Sequence, residues 1–168
     1  ATNNQIGLEK YLMMEGMTYR LSQVENSSEI HSINYDQMKN NLLESSYDNI
    51  IYNELDYKNI SDLNKGIYRY RNLDDSTIYF NDNIKRLVQN YRIGFIRLAQ
   101  HNVENKNYKE ADEMIELMNS YFPPNTLTIE PGIAILISDS IYGAMNNNNK
   151  QIKTLKNLFN NKLNIDTE

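Results

Sequence analysis

The feature that most constrains this chain is a long amphipathic pattern that begins at Asp82. Side chains suited to one buried helix face recur at three- and four-residue spacing over about six turns. These positions are Ile84, Leu87, Val88, Tyr91, Phe95, Leu98, Ala99 and Asn102. Asn81 or Asp82 can cap the start, and the Asp82 carboxylate suits the positive end of the helix dipole. The pattern predicts a long helix with one buried face.

A second amphipathic run follows the polar turn Glu104–Asn107. Its inward positions are Tyr108, Ala111, Ile115 and Met118, and the charged residues between them point outward. Pro123 and Pro124 stop this run, because proline cannot continue a helix. Two helices joined by so short a turn must lie antiparallel, so the pattern predicts a helical hairpin.

A second hairpin is predicted after an extended stretch. Pro131 suits the first position of a helix, and Asn146–Asn149 form the next turn. The inward positions of the two helices are Ile133, Ala134, Ile137 and Ile141, then Ile152, Leu155, Leu158, Phe159 and Leu163. The last helix runs from Lys150 to about Leu163. Two successive helix–turn–helix units are the organisation of a short helical-repeat array.

The N-terminal part is less helical. Met17, Tyr19 and Leu21 alternate with polar residues, which predicts a half-buried strand. The stretch Ile30–Ile33 is predicted to pair back as a second strand. We therefore expect a β-ribbon segment over residues 1–33 that packs on the helices, with one compact domain overall.

The helical domain is predicted to cover residues 34–168. Asn34 is a candidate N-cap, followed by Tyr35, Met38, Leu42 and Leu43 on one helical face. Residues 46–70 show no clean period, and we expect only a short helix there, near Tyr47–Leu55. The predicted fold class is mainly α with a small N-terminal β element.

The first predicted hairpin resembles a tetratricopeptide repeat. The run Phe95-x-x-Leu98-Ala99 is followed by Tyr108-x-x-Ala111-x-x-x-Ile115-x-x-Met118 and then Pro123. Asn102 departs from that repeat, where a tyrosine is usual. The second hairpin matches only in outline and lacks the close-contact alanine, so we expect a capping pair. The resemblance implies a TPR-like helical-hairpin array, an α-α superhelix.

A wider resemblance covers most of the chain. Its blocks are Gly7–Leu12, Met14–Leu21, Tyr79–Ile84, Asn90–Arg92 and Arg97–Ala99. They resemble the C-terminal region of the DUF2723 family of bacterial membrane proteins, which is related to protein O-mannosyltransferase-like glycosyltransferases. In that family a polytopic membrane part precedes an extracytoplasmic helical-repeat tail. The resemblance implies that this chain is such a tail, in the periplasm and tethered in its parent, without an active site of its own.

Several function classes are disfavoured by charge and residue type. The net charge is -5, whereas a nucleic-acid binder normally carries a basic face. No cysteine is present, and His31 and His101 lack metal-ligand spacing. Asp112 and Glu116 fall on a polar helix face, where acids are ordinary solvated residues. The sequence contains no apolar run long enough to span a membrane. We predict no catalytic, metal or cofactor site.

The candidate binding residues are polar side chains near apolar stripes. They are Glu15, Tyr19, Arg20, Asn90, Arg92 and Arg97. In a structural role, Arg92 and Arg97 bond Glu15 or backbone carbonyls and hold the ribbon on the long helix. In a binding role, the set lines a polar groove for a peptide, a sugar or the parent's membrane part.

Three hypotheses for function follow. The first is a binding or scaffolding domain of a membrane glycosyltransferase-like protein, with protein, glycan or the parent's membrane part as partner. The second is a carbohydrate- or acceptor-handling subdomain, which would need an acid-lined pocket. The third is a free-standing cytoplasmic adaptor of tetratricopeptide type.

Overall fold

The computed structural model describes residues 8–23, 25, 33–43, 68, 70 and 72–163. These residues confirm a mainly helical chain with a small two-stranded antiparallel sheet. The chain divides into two compact units, Ala1–Arg69 and Tyr70–Glu168. The sequence pattern placed a boundary after residue 33, whereas this division groups the first α-helix with the ribbon.

The first unit begins with a tight β-hairpin. Strand β1 (Leu12–Met14) follows a single 3-10 turn and pairs antiparallel with strand β2 (Tyr19–Leu21). Strand β2 thus pairs with a partner only a few residues upstream, whereas the predicted second strand Ile30–Ile33 is described only at Ile33. Ile33 instead makes an isolated parallel bridge to Met14, and residues 30–32 lie outside the described part.

The predicted burial of β2 is wrong. Tyr19 and Leu21 are 58% and 56% exposed, and Arg20 between them is exposed as well. The alternation of apolar and polar residues in so short a strand indicates an extended backbone. It does not indicate burial, which requires another layer of structure over one face of the strand.

Gly16 makes the turn of the hairpin possible. Its φ is +122°, a conformation that side chains with a Cβ rarely adopt. A Cβ added there would lie 2.6 Å from Cε2 of Tyr68. The Tyr68 hydroxyl accepts a hydrogen bond from the backbone N–H of Met17 at 2.8 Å. The tyrosine ring therefore lies directly against the turn, where only glycine leaves room for it.

Helix α1 (Tyr35–Leu43) begins where the sequence predicted. The Asn34 side-chain oxygen accepts a hydrogen bond from the Gln37 N–H at 3.3 Å, which confirms the N-cap. Met38 and Leu42 are buried on one face. The short helix expected near Tyr47–Leu55 lies outside the described residues.

The second unit contains four α-helices among its described residues. Helix α2 (Asp82–Glu104) packs along α3 (Tyr108–Tyr121). Helix α4 (Pro131–Leu136) continues without a break into a π-helical segment (Ile137–Gly143), which packs against α5 (Asn148–Leu163). Helix α2 also contacts the π-helical segment.

The helix boundaries of this unit follow the predicted signals. Asn81 caps α2 by accepting a hydrogen bond from the Ile84 N–H at 3.0 Å. Helix α3 ends before Pro123, and Pro131 lies in the first turn of α4. No helix among the described residues is long and apolar enough to cross a membrane.

The turn between α2 and α3 is a Schellman motif. Lys106 has a left-handed backbone with φ of 60°. Its N–H donates to the carbonyl oxygen of Val103 at 2.9 Å, and the Asn107 N–H donates to that of Asn102 at 2.8 Å. The last carbonyls of α2 are thereby satisfied by the turn itself.

The turn before α5 repeats this geometry. Asn146 has a φ of 54°, and its backbone N–H donates to the carbonyl oxygen of Gly143 at 3.0 Å. The Asn147 N–H donates to that of Tyr142 at 2.8 Å, and the Asn147 side chain caps α5 by accepting from the Lys150 N–H at 3.2 Å. Positions 106 and 146 are therefore equivalent in two successive turns.

Most of the predicted core positions are confirmed. The buried ones are Val88, Phe95, Leu98, Ala99, Asn102, Ala111, Ile115, Met118, Ile133, Ala134, Ile137 and Ile141. Four predictions are wrong, because Ile84, Leu87, Tyr108 and Ile152 are 37% to 53% exposed. Helix α2 has 23 residues and α3 only 14, so the first turns of α2 extend past the end of α3.

Candidate functional site

The six predicted site residues fall in two places. Glu15, Tyr19 and Arg20 belong to the hairpin of the first unit, and the other three lie on α2 of the second unit.

Glu15 is the hydrogen-bonding centre of the first group. Its carboxylate accepts from Nε of Arg20 at 2.9 Å and from Nδ2 of Asn34 at 3.1 Å. Its carbonyl oxygen accepts from Nδ2 of Asn41 at 2.7 Å. These bonds tie the hairpin turn to α1. Glu15 is buried, whereas the Arg20 side chain is 61% exposed, so Tyr19 and Arg20 form the accessible part of this group.

The α2 residues do not share one face. Side chains two positions apart on a helix point roughly 200° from each other. Asn90 is exposed and Arg92 is 0% exposed, while Arg97 is half-buried further along the helix. Complete burial of Arg92 argues against direct contact between its guanidinium and a surface ligand.

Arg92 instead binds the connection that follows α3. Nη2 donates to the carbonyl oxygens of Phe122, at 2.9 Å, and of Leu127. Nη1 donates to the carbonyl oxygen of Thr128 at 3.1 Å and to Oε1 of Gln89 at 3.0 Å. Of the partners considered from the sequence, backbone carbonyls are the ones that Arg92 contacts.

Gln89 extends this cluster by one helical turn. Its Nε2 donates to the carbonyl oxygen of Thr128 at 2.9 Å, and its Oε1 accepts from the Glu130 N–H at 3.4 Å. Burial lowers the pKa of Arg92 to about 10, against a smaller opposing effect of Glu130. Arg92 therefore stays protonated at neutral pH, as its role as a donor requires. The sequence pattern missed the burial of Gln89, because glutamine is polar and is usually exposed. The connection that covers Gln89 and Arg92 lies some thirty residues or more along the chain.

A cluster of charged residues, which the sequence did not predict, joins α3 to α5. Nζ of Lys150 lies 2.6 and 2.8 Å from the two carboxylate oxygens of Asp112, and 2.7 Å from Oε1 of Glu116. It also lies 5.8 Å from the centroid of the Tyr142 ring. Glu116 is exposed as expected, with its side chain 61% accessible, whereas Asp112 is only 31% accessible, and both acids pair with the same ammonium group.

Two groups at this cluster, Lys150 and Tyr142, have raised pKa values. Burial by itself lowers the pKa of Lys150, but the hydrogen bonds from Asp112 and Glu116 outweigh it and hold the pKa above its ordinary range. Burial raises the pKa of Tyr142 to about 12, with the positive charge of Lys150 opposing the shift. Both groups keep their protons at neutral pH.

An aromatic cluster lies between α2 and the end of α3. The ring of Tyr70 lies 4.6 Å from that of Tyr121, 4.9 Å from Phe122 and 5.7 Å from Tyr91, centroid to centroid. Phe95 completes the cluster at 6.0 Å. These distances and the tilted or edge-on orientations are those that aromatic pairs favour.

Within the described part of the chain, no group of three or more His, Cys, Asp or Glu side chains is placed to hold a metal ion. Comparison with known proteins finds no matching family model, no matching curated protein and no matching solved structure.

Proposed function

We propose that this chain is a non-catalytic binding or scaffolding domain built from TPR-like helical hairpins. The observation that carries the proposal is the repeated turn. Lys106 and Asn146 have the same left-handed conformation and the same pair of closing hydrogen bonds, at equivalent positions of two successive hairpins. Repetition of one supersecondary unit is the basis of helical-repeat binding proteins.

The packing of the first hairpin supports this proposal. The six inward motif positions other than Tyr108 are buried, namely Phe95, Leu98, Ala99, Ala111, Ile115 and Met118. These are the positions that a tetratricopeptide repeat uses for contact between its helices. Tyr108 is an exception, because it is exposed at the start of α3.

The second hairpin adds two similarities that its sequence pattern did not suggest. Tyr142 takes the place in the second turn that Asn102 takes in the first, and it is buried. A tyrosine is the usual residue there in a tetratricopeptide repeat. A Cβ added to Gly143 would lie 3.3 Å from Nε2 of Gln151. Gly143 on the first helix is therefore a small residue close to the second helix, which we compare with the alanine of a tetratricopeptide repeat.

The state of the acidic residues supports a non-catalytic role. Glycosidic bond chemistry needs two carboxylates that face each other across a sugar. Asp112 and Glu116 both point at Lys150, and Glu15 is taken up by Arg20 and Asn34. Neither group offers an open pair of carboxylates. An acid-lined pocket would be needed to favour the carbohydrate-handling alternative.

The proposed setting is the extracytoplasmic tail of a membrane glycosyltransferase-like protein, and it rests on the DUF2723 resemblance. The proposed partners are a protein, a glycan or the parent's own membrane part, and nucleic acid is not among them. The test is to translate the reading frame upstream of residue 1. A series of apolar segments of about 20 residues each is expected. A short polar leader would refute the tail and leave the adaptor of tetratricopeptide type.

The binding role itself is testable on the parent protein. We expect site-specific cross-linkers at exposed positions of the chain, such as Tyr19 and Tyr79, to capture a discrete partner or the parent's membrane part. A matched cross-linker at a buried position, such as Phe95, should capture nothing. Capture from Phe95 equal to that from the exposed positions would contradict a binding role. So would the absence of capture from every exposed position.

A further inference from the structure

Strand β2 has one edge that faces away from β1. The N–H of Glu15 donates to the carbonyl oxygen of Thr18 at 3.0 Å, and along antiparallel strands such hydrogen-bonded pairs alternate with pairs that exchange no bonds. In the register of the hairpin, Arg20 is therefore the next residue of β2 that bonds to β1. The backbone N–H and C=O groups of Tyr19 and Leu21 consequently point away from β1.

The two edges of this small sheet differ. On the β1 side, the carbonyl oxygen of Met14 accepts from the Asn34 N–H at 3.0 Å, and Ile33 forms a bridge to Met14. On the β2 side, no residue in the described part of the chain bonds to the outward backbone groups of Tyr19 and Leu21. An open strand edge is a template for pairing with a further strand. An extended chain can therefore add to the sheet beside β2.

The side chains of this edge indicate which chain it suits. Tyr19 and Leu21 lie on one face of the strand and are 58% and 56% exposed, so they offer apolar surface to the residues across from them. Arg20 lies on the opposite face. Its Nε is 2.9 Å from Oε2 of Glu15, and its side chain is 61% exposed. The guanidinium is thus oriented by one carboxylate and accessible to a second.

The edge is held in place by bonds that an added strand does not need to break. The Glu15 carboxylate accepts from Nδ2 of Asn34 at 3.1 Å, and the Glu15 carbonyl oxygen accepts from Nδ2 of Asn41 at 2.7 Å. The Tyr68 hydroxyl accepts from the Met17 N–H at 2.8 Å. A partner would therefore meet a preformed edge, which lowers the cost of ordering on binding.

We propose that β2 is a docking edge for an extended segment of a partner protein with the pattern apolar–acidic–apolar, which pairs antiparallel with Tyr19–Leu21 as a third strand. The two apolar residues form the hydrogen-bonded pairs with Tyr19 and Leu21. The acidic residue lies opposite Arg20, in the kind of pair that brings side chains closest. The proposal rests on the binding function proposed above and names the partner's chemistry.

A second copy of this chain fits the edge less well. The antiparallel register that pairs Tyr19 of one copy with Leu21 of the other places the two Arg20 side chains directly opposite each other. Like charges in that position are destabilising, whereas an acid opposite the arginine is attractive. The charge of Arg20 therefore favours an acidic segment over a copy of β2.

The first test titrates the full chain with the blocked pentapeptide Thr-Val-Glu-Val-Thr and follows the backbone amide signals by NMR. We expect a dissociation constant on the order of 1 mM, with the largest shifts at Tyr19, Arg20 and Leu21. The same peptide with N-methyl groups on both valines cannot donate to the edge and should bind at least about tenfold more weakly. Equal binding of the two peptides would overturn the proposal, because backbone pairing would then not be the cause of binding.

A proline variant tests the edge of the chain itself. Leu21→Pro removes an N–H that points away from β1, and proline is tolerated at such a position of an edge strand. The control Leu21→Ala loses the side chain but keeps the N–H. We expect Leu21→Pro to bind the peptide at least about fivefold more weakly than Leu21→Ala, and equal affinities would overturn the proposal. If Leu21→Pro loses the hairpin, the N-methylated peptide still decides on the wild-type chain.

The acidic position is tested by a double change. Glutamine in place of the peptide's glutamate should weaken binding to the wild-type chain by about two- to fivefold. The same replacement should leave binding to the variant Arg20→Gln unchanged. An equal effect on both chains would overturn the pairing of Arg20 with the acid.

Two further outcomes separate this proposal from its alternatives. Sedimentation velocity should show no dimer that depends on β2, and a wild-type dimer abolished by Leu21→Pro would make a second copy the occupant instead. Capture of a partner by the cross-linker at Tyr19 without binding of the pentapeptide would overturn strand pairing and leave the binding function standing.

Discussion

The guanidinium of Arg92 donates a hydrogen bond to the carbonyl oxygen of Phe122 across 2.9 Å, from the middle of α2 to the residue that directly follows α3. The same group also reaches the carbonyl oxygens of Leu127 and Thr128. Buried backbone carbonyls need partners, and an irregular connection cannot supply them as a helix does. One side chain therefore fixes the backbone that joins the two hairpins.

Arg92→Ala should lower the free energy of unfolding by about 3 kcal/mol or more, because it removes the guanidinium donor from the buried carbonyls of Phe122 and Leu127. Urea unfolding followed by circular dichroism measures the loss. The control Arg86→Ala removes an exposed arginine of the same helix, which donates to Oδ1 of Asn83 on the surface, and should cost less than about 0.5 kcal/mol.

Arg92→Lys sharpens this prediction. It keeps the positive charge, but one ammonium group cannot reproduce the planar fork that reaches three carbonyls. We expect it to recover less than half of the stability that Arg92→Ala loses. An unchanged melting temperature in Arg92→Ala would contradict the structural role of Arg92 and would favour the binding role instead.

Lys150→Met should cost about 1 kcal/mol at low ionic strength. The side chains of Lys150 and Asp112 are about one-third exposed and that of Glu116 is mostly exposed, so solvent screens much of the attraction. The loss relative to wild type should shrink in 1 M salt. Lys109→Met is the control, because Lys109 pairs with Glu113 at 3.6 Å on an open surface. A loss that does not change with salt would mean that packing, not charge, holds α5.

Lys106→Gly should stabilise the second unit by about 0.5–1 kcal/mol, because glycine adopts a positive φ without the steric cost that lysine bears. Asn146→Gly should stabilise it less, since asparagine tolerates this conformation better. Thermal unfolding measures both. Glycine in place of Lys109 within α3 should instead destabilise by about 1 kcal/mol. Destabilisation by Lys106→Gly would show that the lysine side chain contributes more than its backbone costs.

We expect Tyr142 to make the free energy of unfolding depend on pH in the alkaline range. Its folded pKa, about 12, lies above the ordinary value of 10.0, so the folded state holds its proton more tightly. The corresponding stability is fully present below pH 10 and is lost as the pH rises through 12. Tyr142→Phe should reduce the fall in unfolding free energy between pH 9.5 and 11.5 by about 1 kcal/mol or more. Tyr108→Phe, an exposed tyrosine, should leave the fall unchanged; an identical fall in Tyr142→Phe would refute the prediction.

The predictions that succeeded concern signals that act within a few residues. Asn34 and Asn81 cap their helices with their own side chains. Pro123 and Pro131 limit helices through their fixed backbone geometry. Such effects do not depend on the rest of the fold, which is why the sequence located these boundaries.

The failures concern contacts with distant parts of the chain. Ile84 and Leu87 continue the apolar stripe of α2 but lie beyond the end of α3, so they stay exposed. Helical periodicity shows which side chains share a face and not whether a partner covers it. The covering of Gln89 and Arg92 depends in the same way on the path of residues 122–130. The candidate binding set was chosen as polar residues near apolar stripes, a criterion that does not depend on contacts. Its hairpin residues and its α2 residues consequently fall in different units.

The π-helical segment has a consequence for how this chain tolerates change in length. In an α-helix, side chains five positions apart point about 140° from each other. In a π-helix the backbone bonds span five residues, and Ile137 and Tyr142, five positions apart in this segment, are both buried. The segment therefore behaves as an α-helix that has absorbed one inserted residue without losing its buried face. A wider turn of this kind can take up an inserted residue, so we expect this part of the second hairpin to tolerate a change in length better than α2 or α3.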